Sequence, residues 1–133
     1  MQKKLILSVA FLISLSPMLL SQYGGLKGVQ EISGLINLTN PIGMIALVLF
    51  AIGVWAPLKK KNTGRMAGAL GVIGIVVSEL YTFFTWHYMT ITGELGIQHS
   101  IMLAFPEFYF GLIVSLAMVI VYFAMQYKIN CLK

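Results

Sequence analysis

Charge is scarce in this chain. Of its 133 residues only 10% are charged, against roughly 25% in an average soluble domain. Aspartate is absent, and the acids are Glu31, Glu79, Glu94 and Glu107 alone. So few charges could not cover the surface of a soluble protein of this size. That excludes a soluble globular domain, a disordered chain and a free-standing nucleic-acid binder. A single cysteine, Cys131, excludes an intramolecular disulfide and a four-ligand zinc site built on cysteines. The sequence has no G-x-S-x-G, H-E-x-x-H, C-x-x-C or P-loop motif. No catalytic residue is therefore assigned, no cofactor is expected, and a non-enzymatic role is the favoured expectation. Internal repeats and low-complexity tracts are missing too.

Apolar residues fill the space that charges leave. They make up 59% of the chain, and the mean hydropathy is +0.89. A hydrocarbon core about 30 Å thick needs roughly 20 apolar residues as helix, which satisfies its own backbone hydrogen bonds. Four stretches approach that length, at about 4–21, 41–58, 66–88 and 106–127. They predict an all-α integral membrane protein, a four-helix transmembrane bundle forming one domain over 1–133. Asn40 and Pro41 form the natural start of the second span, as N-cap and first helical residue. Lys3 and Lys4 before the first span resemble the n-region of a signal peptide. Ser21-Gln22-Tyr23 after it offers no small-residue cleavage site, so this span is expected to be retained.

The formal charge of +5 looks like an anion-binding patch, but its placement has another explanation. Lys3, Lys4, Lys59, Lys60, Lys61, Arg65, Lys128 and Lys133 fall on one side of a four-pass chain, and only Lys27 falls on the other. The positive-inside rule then places both termini and the 59–65 loop in the cytoplasm. Trp55 and Trp86 fall near span ends, where amphipathic rings anchor at the membrane interface, as do Tyr88, Tyr109, Tyr122 and Tyr127. The outer loop 21–39 is unusually apolar. Val29, Ile32 and Ile36 recur at helical spacing with Lys27 four residues before Glu31, which predicts a short interfacial helix.

Glu79 is the one ionisable residue well inside a span. A carboxylate in lipid costs at least a few kcal/mol, so Glu79 is expected to face protein or water. Two readings stay open: a proton or cation site, or a structural acid hydrogen-bonded to another helix. At 100° per residue Gly64, Gly68, Gly71, Ser78, Thr82 and Thr85 share a stripe of the third span, with Glu79 at its edge. Small residues there allow close helix approach, with Gly111 and Ser115 on the last span as a candidate facing pair. His87, His99 and Glu107 collect at the outer end, without the spacing of a metal site, so no metal is expected.

Function is far less legible than placement. The first expectation is an accessory or interaction subunit of a membrane complex, or a protein that meets a membrane-active peptide. The alternative is a small homo-oligomeric transporter or channel using Glu79. The expected partners are the lipid bilayer and a membrane-protein partner or a second copy of the chain, and no nucleic acid.

Overall fold

A computed structural model of the chain describes residues 1–24, 31–56, 61–90, 101 and 103–128. The protein is mostly helical. Helix α1 spans Gln2–Leu15 and tightens into a 3-10 turn over Ser16–Leu19. A short strand β1, Ser21–Tyr23, pairs antiparallel with β2, Ile32–Ser33. A single helical turn α2, Ile36–Thr39, leads to α3, Pro41–Trp55. The longest helix, α4, covers Lys61–Thr90, and α5 covers Pro106–Lys128. Among the described residues three helical segments are long and apolar enough to cross a membrane: Gln2–Leu19, Asn62–Trp86 and Pro106–Gln126.

Local chemistry sets these limits. Pro17 lacks an N–H, and there the α-helix gives way to the 3-10 turn. The nearby hydroxyls are spent locally: Ser14 donates to the Phe11 carbonyl at 2.7 Å and Ser16 to that of Ile13 at 2.8 Å. Asn40 caps α3, its Oδ1 accepting from the Gly43 N–H at 2.8 Å. The same helix stops at Trp55, earlier than the expected 41–58. Ala56 is extended, as a residue before proline prefers to be, and Pro57 follows. Fifteen residues rise about 22 Å, short of a hydrocarbon core.

The segment 16–40 departs most from expectation. The helical spacing of Val29, Ile32 and Ile36 does not become one interfacial helix. Ile32 lies in β2 and Ile36 opens the one-turn α2, while Val29 lies outside the described residues. Hydrogen bonds on both edges of β1 explain the outcome. Gly34 N–H donates to the Leu20 carbonyl at 2.9 Å. On the opposite edge Phe105 N–H donates to Gln22 and Gly24 N–H to Leu103, at 2.9 and 3.1 Å. Backbone groups inside a protein need partners, and residues 103–105 supply them from far along the chain.

The helices run alternately up and down. Lys3 Nζ donates to Gln126 Oε1 at 3.4 Å, Trp55 Nε1 donates to Ser8 Oγ at 3.0 Å, and the Tyr122 hydroxyl donates to the Arg65 carbonyl, so these parts of the four helices share a basic end. Helices α3 and α4 approach backbone to backbone. A methyl added at Gly71 would lie 2.5 Å from the Phe50 nitrogen, and one at Gly53 would collide with the Gly68 backbone. The interior has three layers along the axis. Nearest the basic end is an apolar core of Leu7, Phe11, Phe50, Val54, Val72, Ile75, Met118 and Tyr122. Farthest from it is an aromatic cap of Tyr23, Phe83, Trp86 and Phe108. Between them lies a buried polar layer.

Candidate functional site

The polar layer follows from the order of residues along α4 and α5. On α4, Ser78, Glu79 and Thr82 stand between Ile75 of the apolar core and Phe83 of the cap. On α5, Gly111 and Ser115 stand between Phe108 and Met118. Segment 16–40 completes the layer with Gln22, Asn37 and Asn40. All of these polar side chains are buried.

Their hydrogen bonds form two linked chains. Gln22 Nε2 donates to the Pro17 carbonyl at 3.2 Å, and Gln22 Oε1 accepts from Asn37 Nδ2 at 2.9 Å. The Tyr23 hydroxyl donates to Asn37 Oδ1 at 3.3 Å. Burial pushes the Tyr23 phenol well above its usual pKa, which the Asn37 contact opposes, so the hydroxyl keeps its proton. In the second chain Asn40 Nδ2 reaches Ser78 Oγ at 2.7 Å and Thr82 Oγ1 at 3.0 Å. The Ser78 hydroxyl donates to the Asn37 main-chain carbonyl and so closes the two chains on one another.

Glu79 stands at the side of this network, only 1% exposed. Its Oε1 accepts from the Ser115 hydroxyl at 2.9 Å. Its Oε2 is buried and has no hydrogen-bond partner among the described residues. Gly111 lies between Glu79 and Gln22: a methyl there would sit 3.0 Å from Gln22 Nε2 and 3.8 Å from Glu79 Oε1. Arg65 precedes Glu79 on α4 by about 21 Å of helix rise. An ionised Glu79 would want a counter-charge, and a protonated one would want an acceptor for its O–H. Among the described residues either form leaves a buried polar atom unmet, and such an atom in a native core calls for a reason.

The remaining residues singled out in the sequence disperse. Gly64, Gly68, Gly71, Ser78 and Thr82 are buried along α4, and Thr85 is half-buried. Gly68 meets two neighbours: the α3 backbone at Gly53 and, where its own side chain would be, the Tyr122 hydroxyl. Glu107 is exposed in the first turn of α5, beside Glu31 in a shallow pocket of about 370 Å³. His87 belongs to the last turns of α4, and its side chain lies outside what the structure describes, as do Lys27, Glu94 and His99 entirely. Among the described residues no three His, Cys or Glu side chains converge as metal ligands would.

Two aromatic residues are not the interface anchors expected of them. Trp86 is fully buried because β1 folds over it and stacks Tyr23 on its ring at 5.5 Å. Tyr122 is buried on the apolar core and donates to the Arg65 carbonyl at 3.0 Å. Trp55 is exposed at the basic end, with the Lys4 ammonium 5.9 Å from its ring centroid. Sequence reasoning did not place Gln22, Tyr23 and Asn37 in the site. The one available signal was amide side chains inside an otherwise apolar loop.

No family model matches this chain, and no match is found among curated proteins or solved structures.

Proposed function

We propose that the chain is a four-pass integral membrane protein whose basic end faces the cytoplasm, and that it acts as an accessory or interaction subunit. Helices α1, α3, α4 and α5 are the passes, with α3 lengthened toward the far side by α2 and the extended Asn40. One observation carries this reading. Between Glu79 and the basic end the interior is filled by Phe11, Phe50, Val72, Ile75 and Met118, which pack as one apolar core. A transport route needs polar groups along its length. Among the described residues a single copy offers there only the buried Ser14 hydroxyl, which is spent on the Phe11 carbonyl, and the amides and hydroxyls above it bond largely to one another. The faces turned outward are apolar over most of their length, including Ile6, Ile13, Ile45, Val48, Ile113 and Ile120. Such faces suit lipid or another membrane protein.

A second reading is kept for one specific feature. Glu79 Oε2 is buried without a hydrogen-bond partner among the described residues, as expected of a proton or cation site that a second copy completes. Proteoliposomes separate the two. The purified protein is expected to give no proton or alkali-cation flux above empty vesicles. Glu79→Gln is expected to fold in equal yield and to complement a deletion strain in full. Flux that Glu79→Gln abolishes in a folded variant would replace the accessory reading with the transport one.

A further inference from the structure

Glu107, Gly111 and Ser115 recur at every fourth residue of α5 and so share one face of it. Along that face Gly111 lies about 6 Å and Ser115 about 12 Å nearer the basic end than Glu107. The line starts in the cleft of about 370 Å³ lined by Leu20, Ser21, Glu31, Phe105, Pro106 and Glu107. It ends where Ser115 donates to Glu79, whose Oε2 has no hydrogen-bond partner among the described residues. Gln22 follows Ser21 of the cleft and stands between. A methyl at Gly111 would lie 3.0 Å from Gln22 Nε2, 3.4 Å from Pro17 Cβ and 3.8 Å from Glu79 Oε1. On its other side the Gln22 carboxamide packs on Gly34, where a methyl would collide with it. Its hydrogen bonds among the described residues run to Pro17 and Asn37, within segment 16–40, and not to Glu79. This side chain thus closes the way from an open cleft to a buried carboxyl group. Beyond Glu79, Ile75 and Met118 belong to the apolar core, and the line stops.

We propose that Glu79 binds a proton taken from the aqueous phase outside, through the cleft at Glu31 and Glu107, and that the Gln22 side chain is the gate of this blind passage. Hydronium in the opened cleft gives its proton to Glu79 Oε2. One O–H bond breaks on the hydronium, one forms on the carboxylate, and water is left. The surroundings select a proton over a metal ion. A hard cation takes about six or more oxygen ligands. Here Gln22 Oε1, Asn37 Oδ1 and Asn40 Oδ1 already accept hydrogen bonds, and Ser115 turns a donor to the carboxyl group. The elements packed on Glu79 bring it no charged group among the described residues. Helix α5 presents Gly111 and Ser115, the 3-10 turn presents Pro17, and β1 presents Gln22 and Tyr23, whose phenol keeps its proton. The two acids at the mouth raise the local concentration of cations, hydronium included.

The proposal rests on the reading of Glu79 as a proton site and requires neither a second copy nor flux. Infrared difference spectra of the full-length protein test the two separately. In vesicles with the basic end inside, a carboxylic-acid C=O band is expected that is missing in Glu79→Gln. It should grow when the outer buffer is acidified and ignore the inner one. A wild type without this band, or with one that no pH change alters, overturns the site and the reading together. A band that follows the inner buffer overturns the outer entry alone. In detergent, transfer to heavy water shifts the band as the acid proton exchanges, and the rate reads the gate. Gln22→Ala should speed exchange about tenfold or more. Gly53→Ala, which forces α3 off the Gly68 backbone near the basic end, should not. Equal acceleration in both, or none in Gln22→Ala, overturns Gln22 as the gate. The cleft itself is blocked after folding: Glu107→Cys in a Cys131→Ser background, coupled to a bulky maleimide, should exchange several-fold more slowly than before coupling. An unchanged rate overturns the cleft as the entrance.

Discussion

Asn40 does two jobs with one side chain. Its oxygen caps α3 at Gly43, and its nitrogen holds Ser78 and Thr82 of α4. Replacing it separates them. Asn40→Ala removes the cap and strands two buried hydroxyls from their shared donor, so it should lower stability by about 2 to 3 kcal/mol. Asn40→Ser keeps a capping oxygen but cannot reach across to α4, and should cost about half as much. Chemical denaturation or thermal melting in one detergent checks the ranking; equal losses would mean that the link to α4 contributes nothing. The cap was legible from Asn40-Pro41 because it is local. The link was not, because Ser78 lies far along the chain and nothing in an Asn announces which hydroxyl it will meet. Glu79 shows the same division. Its isolation in an apolar span can be read from the sequence. The closure of Gln22 over Gly111 beside it depends on a strand whose partners lie at 32–34 and, far along the chain, at 103–105.

Among elements, the contact of α3 with α4 is the closest, and glycine makes it so. Gly71 has no room for a Cβ against Phe50, and Gly74 would meet the Ala46 methyl at 2.8 Å. Gly71→Leu must therefore push the two helices apart, and overpacking of this kind costs about 1 to 3 kcal/mol or more. Leu70 is its exposed neighbour, and Leu70→Ile should change stability by less than about 0.5 kcal/mol. Melting temperatures of the two variants in detergent give the comparison; a Gly71→Leu protein as stable as Leu70→Ile would show that the helices do not meet there. The stripe itself can be drawn from residue spacing. The partner of each glycine cannot, since a helical wheel gives a direction and no neighbour. Apolar length identified α1, α4 and α5 as elements for the same local reason. It overestimated α3, where Pro57 follows the extended Ala56, and helical spacing misread the loop 21–39, where pairing of β1 with β2 and its bonds to 103–105 override a helical pattern.

At the scale of the whole molecule the charges sort by end. Lys3, Lys4 and Arg65 meet at one end, while Glu31 and Glu107 share a pocket at the other. A membrane that follows the positive-inside rule should hold the first end in the cytoplasm. Helix α3 is the short pass, its fifteen residues rising only about 22 Å. A bilayer meets a short helix by thinning, by tilt, or by letting flanking segments fill the gap, each at a modest cost. Here α2 and the polar layer stand ready to fill it from the far side. Three single-cysteine proteins test this, made in a Cys131→Ser background: Gly25→Cys, Asn62→Cys and Gly96→Cys. A membrane-impermeant maleimide applied to intact cells should label positions 25 and 96, and position 62 only after the cells are opened. If α3 instead turned back within the bilayer, 25 and 62 would label from the same side and the pass count would fall to three. Outside labelling at 62 alone, with 25 and 96 protected, would invert the whole molecule and place the cluster of Lys3, Lys4 and Arg65 on the outer face.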